Sequence, residues 1–159
     1  MIDPVRRFEH SHTTLAKLAQ EVSEIIGADP SDRARHPRLR KRLIGRLDAL
    51  REQLIQHFAN EEEALFPFVR DAWPARGSTV DRLQDSHDLI CGSLMRLAHL
   101  AQHDDAAFSD RRPTLLGLYE RFEKAYSDHA QEEDALLEEL GRGLDGRQRG
   151  ELAEMLRGL

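Results

Sequence analysis

Four stretches of the chain place apolar residues three or four positions apart, which is the spacing of an α-helix. No stretch shows the sustained two-residue alternation of an antiparallel sheet. Because short links join the four stretches, consecutive helices should lie antiparallel, and we predict an all-α, up-down-up-down four-helix bundle. The predicted helices span about 3–26, 37–69, 78–100 and 113–140, with breaker-rich or polar links at 27–31, 73–77 and 102–110. A short extra C-terminal helix is expected at about 147–157, and residues 1–159 are expected to form a single domain with its bundle at about 3–140.

Individual residues mark the ends of these predicted helices. Asp3 followed by Pro4 is typical of an N-cap and first helical position. Ser78 or Thr79 is expected to cap the third helix. Proline has no backbone N–H, so we expect Pro67 to kink the last turns of the second helix.

Composition excludes several classes of protein. The net charge is −6, from 23 basic and 29 acidic residues, which argues against nucleic acid as a partner. Cys91 is the only cysteine, so a disulfide scaffold is excluded. No apolar run has the length of a membrane span, and the N-terminus lacks the apolar stretch of a signal peptide. We therefore expect a soluble, cytoplasmic protein with no membrane partner.

The two halves of the chain repeat one pattern of histidine and glutamate. His57-x-x-x-Glu61 lies late in the second predicted helix, and His129-x-x-x-Glu133 lies late in the fourth. Residues four apart share one face of a helix. A further histidine stands early in the first helix and another early in the third. Antiparallel packing would bring all six side chains to one level of the bundle: His12, His57, Glu61, His87, His129 and Glu133.

Six such groups buried together without partners would be costly, whereas a pair of metal ions would satisfy all of them. The two histidines of each hairpin can bind one ion, and both glutamates can bridge the two ions. Each ion would then have about four protein ligands and open positions for water, hydroxide or a small diatomic ligand. Imidazole with carboxylate suits iron, with manganese and zinc as competitors. Ferritin-like bundles use Glu-x-x-His instead, so a histidine-rich site is the better interpretation.

At these residues the sequence resembles the hemerythrin-like family, also called the HHE cation-binding domain. The resemblance covers roughly the first 140 residues, and its most specific part is His-Phe-x-x-Glu-Glu-Glu-x-Leu-Phe-Pro at 57–67. It implies a four-helix bundle around two iron ions with an oxo or hydroxo bridge. Carried over by position, the family's metal ligands are His12, His57, Glu61, His87, His129 and Glu133.

One departure from the family affects the expected function. Oxygen-carrying hemerythrins have a second histidine four positions after the one at His87, and Cys91 stands there in this chain. The resemblance thus implies a symmetric site with two histidines per iron, as in members linked to iron sensing or to oxidative and nitrosative stress. Because the second histidine is absent, a reversible oxygen carrier is the less favoured interpretation.

The sequence is therefore compatible with three functions. The first is a cytoplasmic di-iron protein that binds or reacts with dioxygen, peroxide or nitric oxide in stress response or iron homeostasis. The second is a non-enzymatic iron or oxygen sensor whose metal occupancy controls binding of a protein partner. The third and least favoured is a metal-free interaction or phosphotransfer module, which needs one exposed histidine. The sequence leaves open whether the chain is an enzyme and whether it forms a homodimer.

Other polar residues have simpler interpretations. His10 and His12 point about 200° apart around a helix, and His12 shares its side with apolar residues, so His10 is assigned to the surface. His99 and His103 are also expected at the surface. Cys91 is a small buried residue or, less favoured, a thiolate ligand. The basic cluster, expected to be a solvated helix start, comprises Arg33, Arg35, Arg38, Arg40, Lys41, Arg42 and Arg46. The residues expected to form a solvated acidic face, or to hydrogen-bond the histidines from outside, are Glu62, Glu63, Glu132 and Asp134.

Overall fold

The computed structural model describes residues 2–28 and 31–159, and these residues form helices and short links without a β-strand. This confirms the all-α prediction. Within the described ranges, no helix combines the length and the apolar character that crossing a bilayer requires. The long helices are α1 (Pro4–Ile26), α2 (His36–Asn60), α4 (Gly77–His103) and α5 (Arg112–Gly143), and the shorter ones are α3 (Phe66–Ala72) and α6 (Gly146–Arg157). Single 3-10 turns lie at Arg33–Arg35 and Pro74–Arg76.

The start of α1 confirms the predicted cap. The Asp3 carboxylate accepts a hydrogen bond of 2.9 Å from the backbone N–H of Val5, and Pro4 is the first helical residue. Gly27 ends the helix. The predicted link at 27–31 also contains Asp29 and Pro30, which lie outside the described residues.

The predicted cap of α4 is wrong. The helix begins at Gly77, before Ser78 and Thr79, and its N-cap residue Arg76 makes no side-chain capping bond. The preceding 3-10 turn explains this, because it leads directly into α4 and leaves Gly77 with helical backbone angles (φ −55°, ψ −41°). A hydroxyl cap is therefore unnecessary at this position.

A π-helical turn, Glu61–Leu65, joins α2 to α3. The backbone N–H of Phe66 bonds to the carbonyl oxygen of Glu61, five residues earlier. Pro67 follows at once and has no N–H to continue the ordinary pattern. Where the sequence predicted a kink at Pro67, the structure thus shows a change of hydrogen-bond register just before it. Such turns are frequent at functional sites, and this one begins at Glu61.

The four long helices contact one another in a ring. Helix α1 packs against α2 and α5, and α4 packs against the same two helices. A polar layer crosses this ring and separates two apolar clusters. The inner cluster lies where α1 ends and α2 begins, and it includes Leu15, Leu54, Phe58, Ile90 and Tyr126. The outer cluster, on the other side, includes Phe8, Leu65, Leu83, Leu136 and Leu152.

Helix α6 packs on the outer cluster. Its buried residues Leu152 and Leu156 belong to that cluster, and the helix contacts both α1 and the π turn. Asp145 and Gln148 form a reciprocal capping box at its start. Arg149 is ion-paired with Asp3, which ties α6 to the first residues of α1. The C-terminal helix therefore supports the end of the protein that carries Glu61.

Two arginines act as caps for helix ends rather than as solvated charges. Arg40 donates to the backbone carbonyl of Ala101, at 2.7 Å, near the end of α4. Arg112 donates to the carbonyl of Ile26, at 3.1 Å, at the end of α1. A cation at these carbonyls complements the helix dipole. The expectation of a solvated cluster is therefore wrong for Arg40.

Two glycines in the last turn of α5 allow a matched test of packing. A Cβ atom added at Gly143 would lie 2.7 Å from the Trp73 ring, whereas nothing lies within 4 Å of one added at Gly141. Gly143→Ala should therefore destabilise the fold by about 1–3 kcal/mol, since the indole must move. Gly141→Ala should be neutral or stabilise by up to about 1 kcal/mol. Thermal unfolding of both variants measures this, and equal melting temperatures would show that Trp73 does not depend on Gly143.

Candidate metal centre

The polar layer is built from six side chains on four helices and the π turn. Helices α1, α2 and α4 each provide one histidine, the π turn provides a glutamate, and α5 provides both a histidine and a glutamate. The two carboxylates are completely buried, and the His12 side chain is 11% exposed. The structure thus brings together all six residues proposed from the sequence: His12, His57, Glu61, His87, His129 and Glu133.

The first group of ligand atoms comprises those of His12, His57, Glu61 and Glu133. Nε2 of His12 lies 2.7 Å from Oε2 of Glu133, and Nε2 of His57 lies 3.2 Å from Oε1 of Glu61. The Nε2 atoms of His12 and His57 are themselves only 3.2 Å apart. One ligand atom from each residue lies within 4.8 Å of all the others, so a single cation could contact all four.

The second group comprises Glu61, His87 and His129, so Glu61 belongs to both. Oε2 of Glu61 lies 2.8 Å from Nε2 of His87, and Oε1 lies 3.4 Å from Nε2 of His129. Glu133 reaches the same histidine, with Oε2 at 3.5 Å from Nε2 of His129. Glu61 therefore presents an oxygen to each group, and Glu133 contacts histidines of both.

Three buried atoms at this centre have no hydrogen-bond partner among the described residues: Oε2 of Glu61, Nε2 of His87 and Oε1 of Glu133. Although Oε2 of Glu61 and Nε2 of His87 are 2.8 Å apart, their orientation does not form a hydrogen bond. Unpaired buried polar atoms are costly. A cation between them would satisfy lone pairs that the protein leaves free, so the residues present fit a bound metal.

The outer nitrogen, Nδ1, of each histidine contacts a side chain from another element. Asp134 lies 2.7 Å from Nδ1 of His12, and Glu62 lies 2.6 Å from Nδ1 of His87. The sequence left two interpretations for the acidic residues, a solvated face or hydrogen bonds to the histidines. Glu62 and Asp134 fit the second interpretation. The other two outer contacts are hydroxyl groups, Ser11 with His57 and Ser86 with His129. All four Nε2 atoms are therefore left to face the glutamates.

The two serines were missed by the sequence reasoning. The sequence did contain a sign of their role, because each serine directly precedes an early histidine of the repeated pattern, as Ser11-His12 and Ser86-His87. Each serine contacts the histidine of the neighbouring helix rather than the one beside it in the chain. Only the relative placement of the helices reveals that pairing.

Phenylalanine rings enclose the imidazoles. Phe58 stacks on His87 with ring centroids 3.7 Å apart and planes 11° from parallel. Phe66 stacks on the same ring at 5.6 Å, and Phe8 meets His57 edge-on at 6.2 Å. Phe58 and Phe66 lie on either side of the π turn. Both rings therefore pack on His87 and restrict its orientation.

The electrostatics show how the cluster is balanced without a metal ion. Burial lowers the pKa of the His57 imidazole, but hydrogen bonds to Glu133 and Glu61 outweigh it and raise that pKa to about 10. The same balance raises the pKa of His129 to about 9. Burial alone would raise the pKa of Glu133, yet its hydrogen bonds to the histidines hold that pKa well below the usual range. Metal binding must therefore displace protons from these imidazoles, so metal affinity should fall as the pH is lowered.

Other residues singled out in the sequence lie away from this cluster. His10, His99 and His103 are exposed. Cys91 is half-buried and lines a shallow groove of about 300 Å³ with Leu54 and other residues of α2 and α4. Burial raises the pKa of its thiol, and the two groups of ligand atoms do not include it. The interpretation of Cys91 as a packing residue fits this position better than that of a thiolate ligand.

Comparison with known proteins gives one match. A family model described as the hemerythrin HHE cation binding domain matches residues 3–141. No curated protein and no solved structure matches the chain. The matched range contains all six residues of the polar layer and ends before α6.

Proposed function

Because the chain belongs to the hemerythrin HHE cation-binding family, we propose that its polar layer holds two iron ions and binds or reacts with dioxygen, peroxide or nitric oxide. The observation that carries the proposal is the position of Glu61. Its two oxygens face different histidines, and it belongs to both groups of ligand atoms. A carboxylate in that position suits a pair of ions better than a single ion.

Each residue has a role in this proposal. His12 and His57 hold one ion, and His87 and His129 hold the other. Glu61 and Glu133 bridge the two and supply negative charge in a place from which water is largely excluded. Imidazole with carboxylate is a ligand set that suits iron, and manganese or zinc could occupy the same positions.

Bound iron supplies the redox chemistry and the open coordination positions for a small ligand. The protein contributes burial and shape. Both carboxylates are completely buried, and Phe58 and Phe66 cover His87. The ligand must therefore be small, because a molecule of more than a few atoms would have to displace these rings.

The same contacts support the proposed architecture. The first half of α1 lies beside the end of α2 where His12 approaches His57, and the first half of α4 lies beside the second half of α5 where His87 approaches His129. We infer an up-down-up-down four-helix bundle and a single domain that includes α6. This arrangement brings one early and one late histidine together in each hairpin.

A second function is favoured by one observation. Helix α6 contacts the π turn on which Glu61 lies. A change at Glu61 on metal binding could therefore reach α6, as required of a non-enzymatic iron or oxygen sensor that controls binding of a protein partner. The two functions differ in whether a small ligand reacts at the metals.

Absorption spectroscopy tests the proposed function. Iron-loaded wild-type protein should show near-ultraviolet charge-transfer bands that change when nitric oxide or peroxide is added. His57→Ala should lose these bands, because His57 contacts both glutamates. His10→Ala, which removes an exposed histidine, should keep them. Iron-loaded wild-type protein without such bands, or with bands that no ligand alters, would overturn the proposal.

A further inference from the structure

The outer contacts of the four histidines follow one rule. The residue after the glutamate of each half contacts the early histidine of the other half, at His87 or His12. The residue before each early histidine contacts the late histidine of its own half, at His57 or His129. Asp134 and Glu62 are the first kind, at 2.7 Å and 2.6 Å from Nδ1. Ser11 and Ser86 are the second kind, at 3.0 Å and 2.7 Å from Nδ1. Each contact joins two different elements of the fold.

The direction of the Ser86 hydrogen bond can be deduced. A hydroxyl group has one proton to donate. Ser86 Oγ donates to the backbone carbonyl of Leu83 at 2.7 Å, so its proton is already used. Toward His129 the same oxygen must accept, which places a proton on Nδ1 of that imidazole.

The consequence concerns the other ring nitrogen. With the proton on Nδ1, Nε2 of His129 is the atom that can offer a lone pair to a cation. This atom faces Glu61 at 3.4 Å and Glu133 at 3.5 Å. The Ser86 contact therefore determines which nitrogen of His129 faces the polar layer.

We propose that Ser86 is a positioning residue, which fixes His129 with its proton on Nδ1 and its Nε2 directed at the metal position. Ser11 occupies the equivalent place at His57. The inference rests on the proposed metal function and goes beyond the six ligands, because it assigns a role to a side chain that contacts no metal. Side chains that orient histidine ligands typically contribute about 10–100-fold to metal affinity.

Three variants on one helix separate positioning from stability. Ser86→Ala removes the acceptor, and Ser86→Thr keeps a hydroxyl group at the same place. Ser93→Ala makes the same chemical change at a buried serine of α4, outside the two ligand groups. The probe is ferrous ion under anaerobic conditions, measured against a competing chelator.

We expect Ser86→Ala to weaken the binding of one of the two ions by about 10–100-fold. Ser86→Thr should restore affinity to within a few-fold of wild type, and Ser93→Ala should bind like wild type. The metal-free melting temperature of Ser86→Ala should stay close to that of Ser93→Ala. Wild-type affinity in Ser86→Ala, or an equal loss in Ser86→Thr, would overturn the inference.

A second measurement does not depend on metal. In metal-free protein labelled with ¹⁵N at histidine, the Nδ1-bound proton of His129 should give a resolved resonance in wild type and Ser86→Thr. In Ser86→Ala this proton should be lost to exchange with water. If wild type shows the resonance but binds no ferrous ion, the proposed function fails while the hydrogen bond stands. If the resonance is missing from wild type, the positioning inference fails even if two ions bind.

Discussion

Glu61→Gln should leave the protein almost free of metal, although the substitution changes neither the size of the side chain nor its place in the π turn. Glu61 is the residue common to both groups of ligand atoms. An amide has no charge and is a far weaker ligand for iron than a carboxylate, so both ions lose an anionic ligand at once. Metal content by mass spectrometry, on protein purified from iron-supplemented cells, measures the effect.

Two variants serve as controls for this result. Glu63→Gln makes the same chemical change two residues away at an exposed position, and it should retain the wild-type metal content. His12→Ala removes a member of the first group alone, so it should retain the ion of the second group. If Glu61→Gln retained a full complement of metal, Glu61 could not be the bridging ligand.

Removal of metal is expected to lower the melting temperature by about 10 °C. Ligands present at a thousand times their dissociation constant stabilise a protein by about 4 kcal/mol, and in a chain of this size each kcal/mol corresponds to roughly 2–4 °C. The buried unpaired atoms of Glu61, His87 and Glu133 explain why the effect should be large. Thermal unfolding of loaded and chelator-treated protein measures the difference.

A core variant distant from the metals provides the reference. Leu47 is buried in the inner cluster, and Leu47→Ala should cost about 2–5 kcal/mol with or without metal. The difference in melting temperature between loaded and stripped protein should therefore persist in this variant. Equal melting temperatures for loaded and stripped wild type would mean that the polar layer does not gain stability from metal.

The helices could be predicted because apolar residues recur along one face of each, and the same reasoning separated His12 from His10. His12 shares its side of α1 with the buried Leu15, and it lies in the polar layer, whereas His10 is exposed. The Asp3 cap was also visible, since its hydrogen bond is local to the chain. Features that depend on residues of a single helix could therefore be predicted from the sequence.

Features that depend on contacts between helices, or on a local change of helix type, could not be predicted from the sequence. The π turn adds one residue to a single turn, and the apolar pattern continues on both sides of it, so periodicity does not reveal it. The roles of Ser86 and Arg40 depend on partners 43 and 61 positions away in the chain. The repeated Ser-His pair was the one local sign of the serine contacts.

The most direct test of the central claim is the number of metal ions bound per chain, measured by mass spectrometry on untagged wild-type protein expressed with ample iron. We predict two ions of iron, one for each group of ligand atoms. Two ions of zinc would support the site and leave its native metal to be determined by reconstitution. Protein that folds normally and carries no stoichiometric metal would contradict the account.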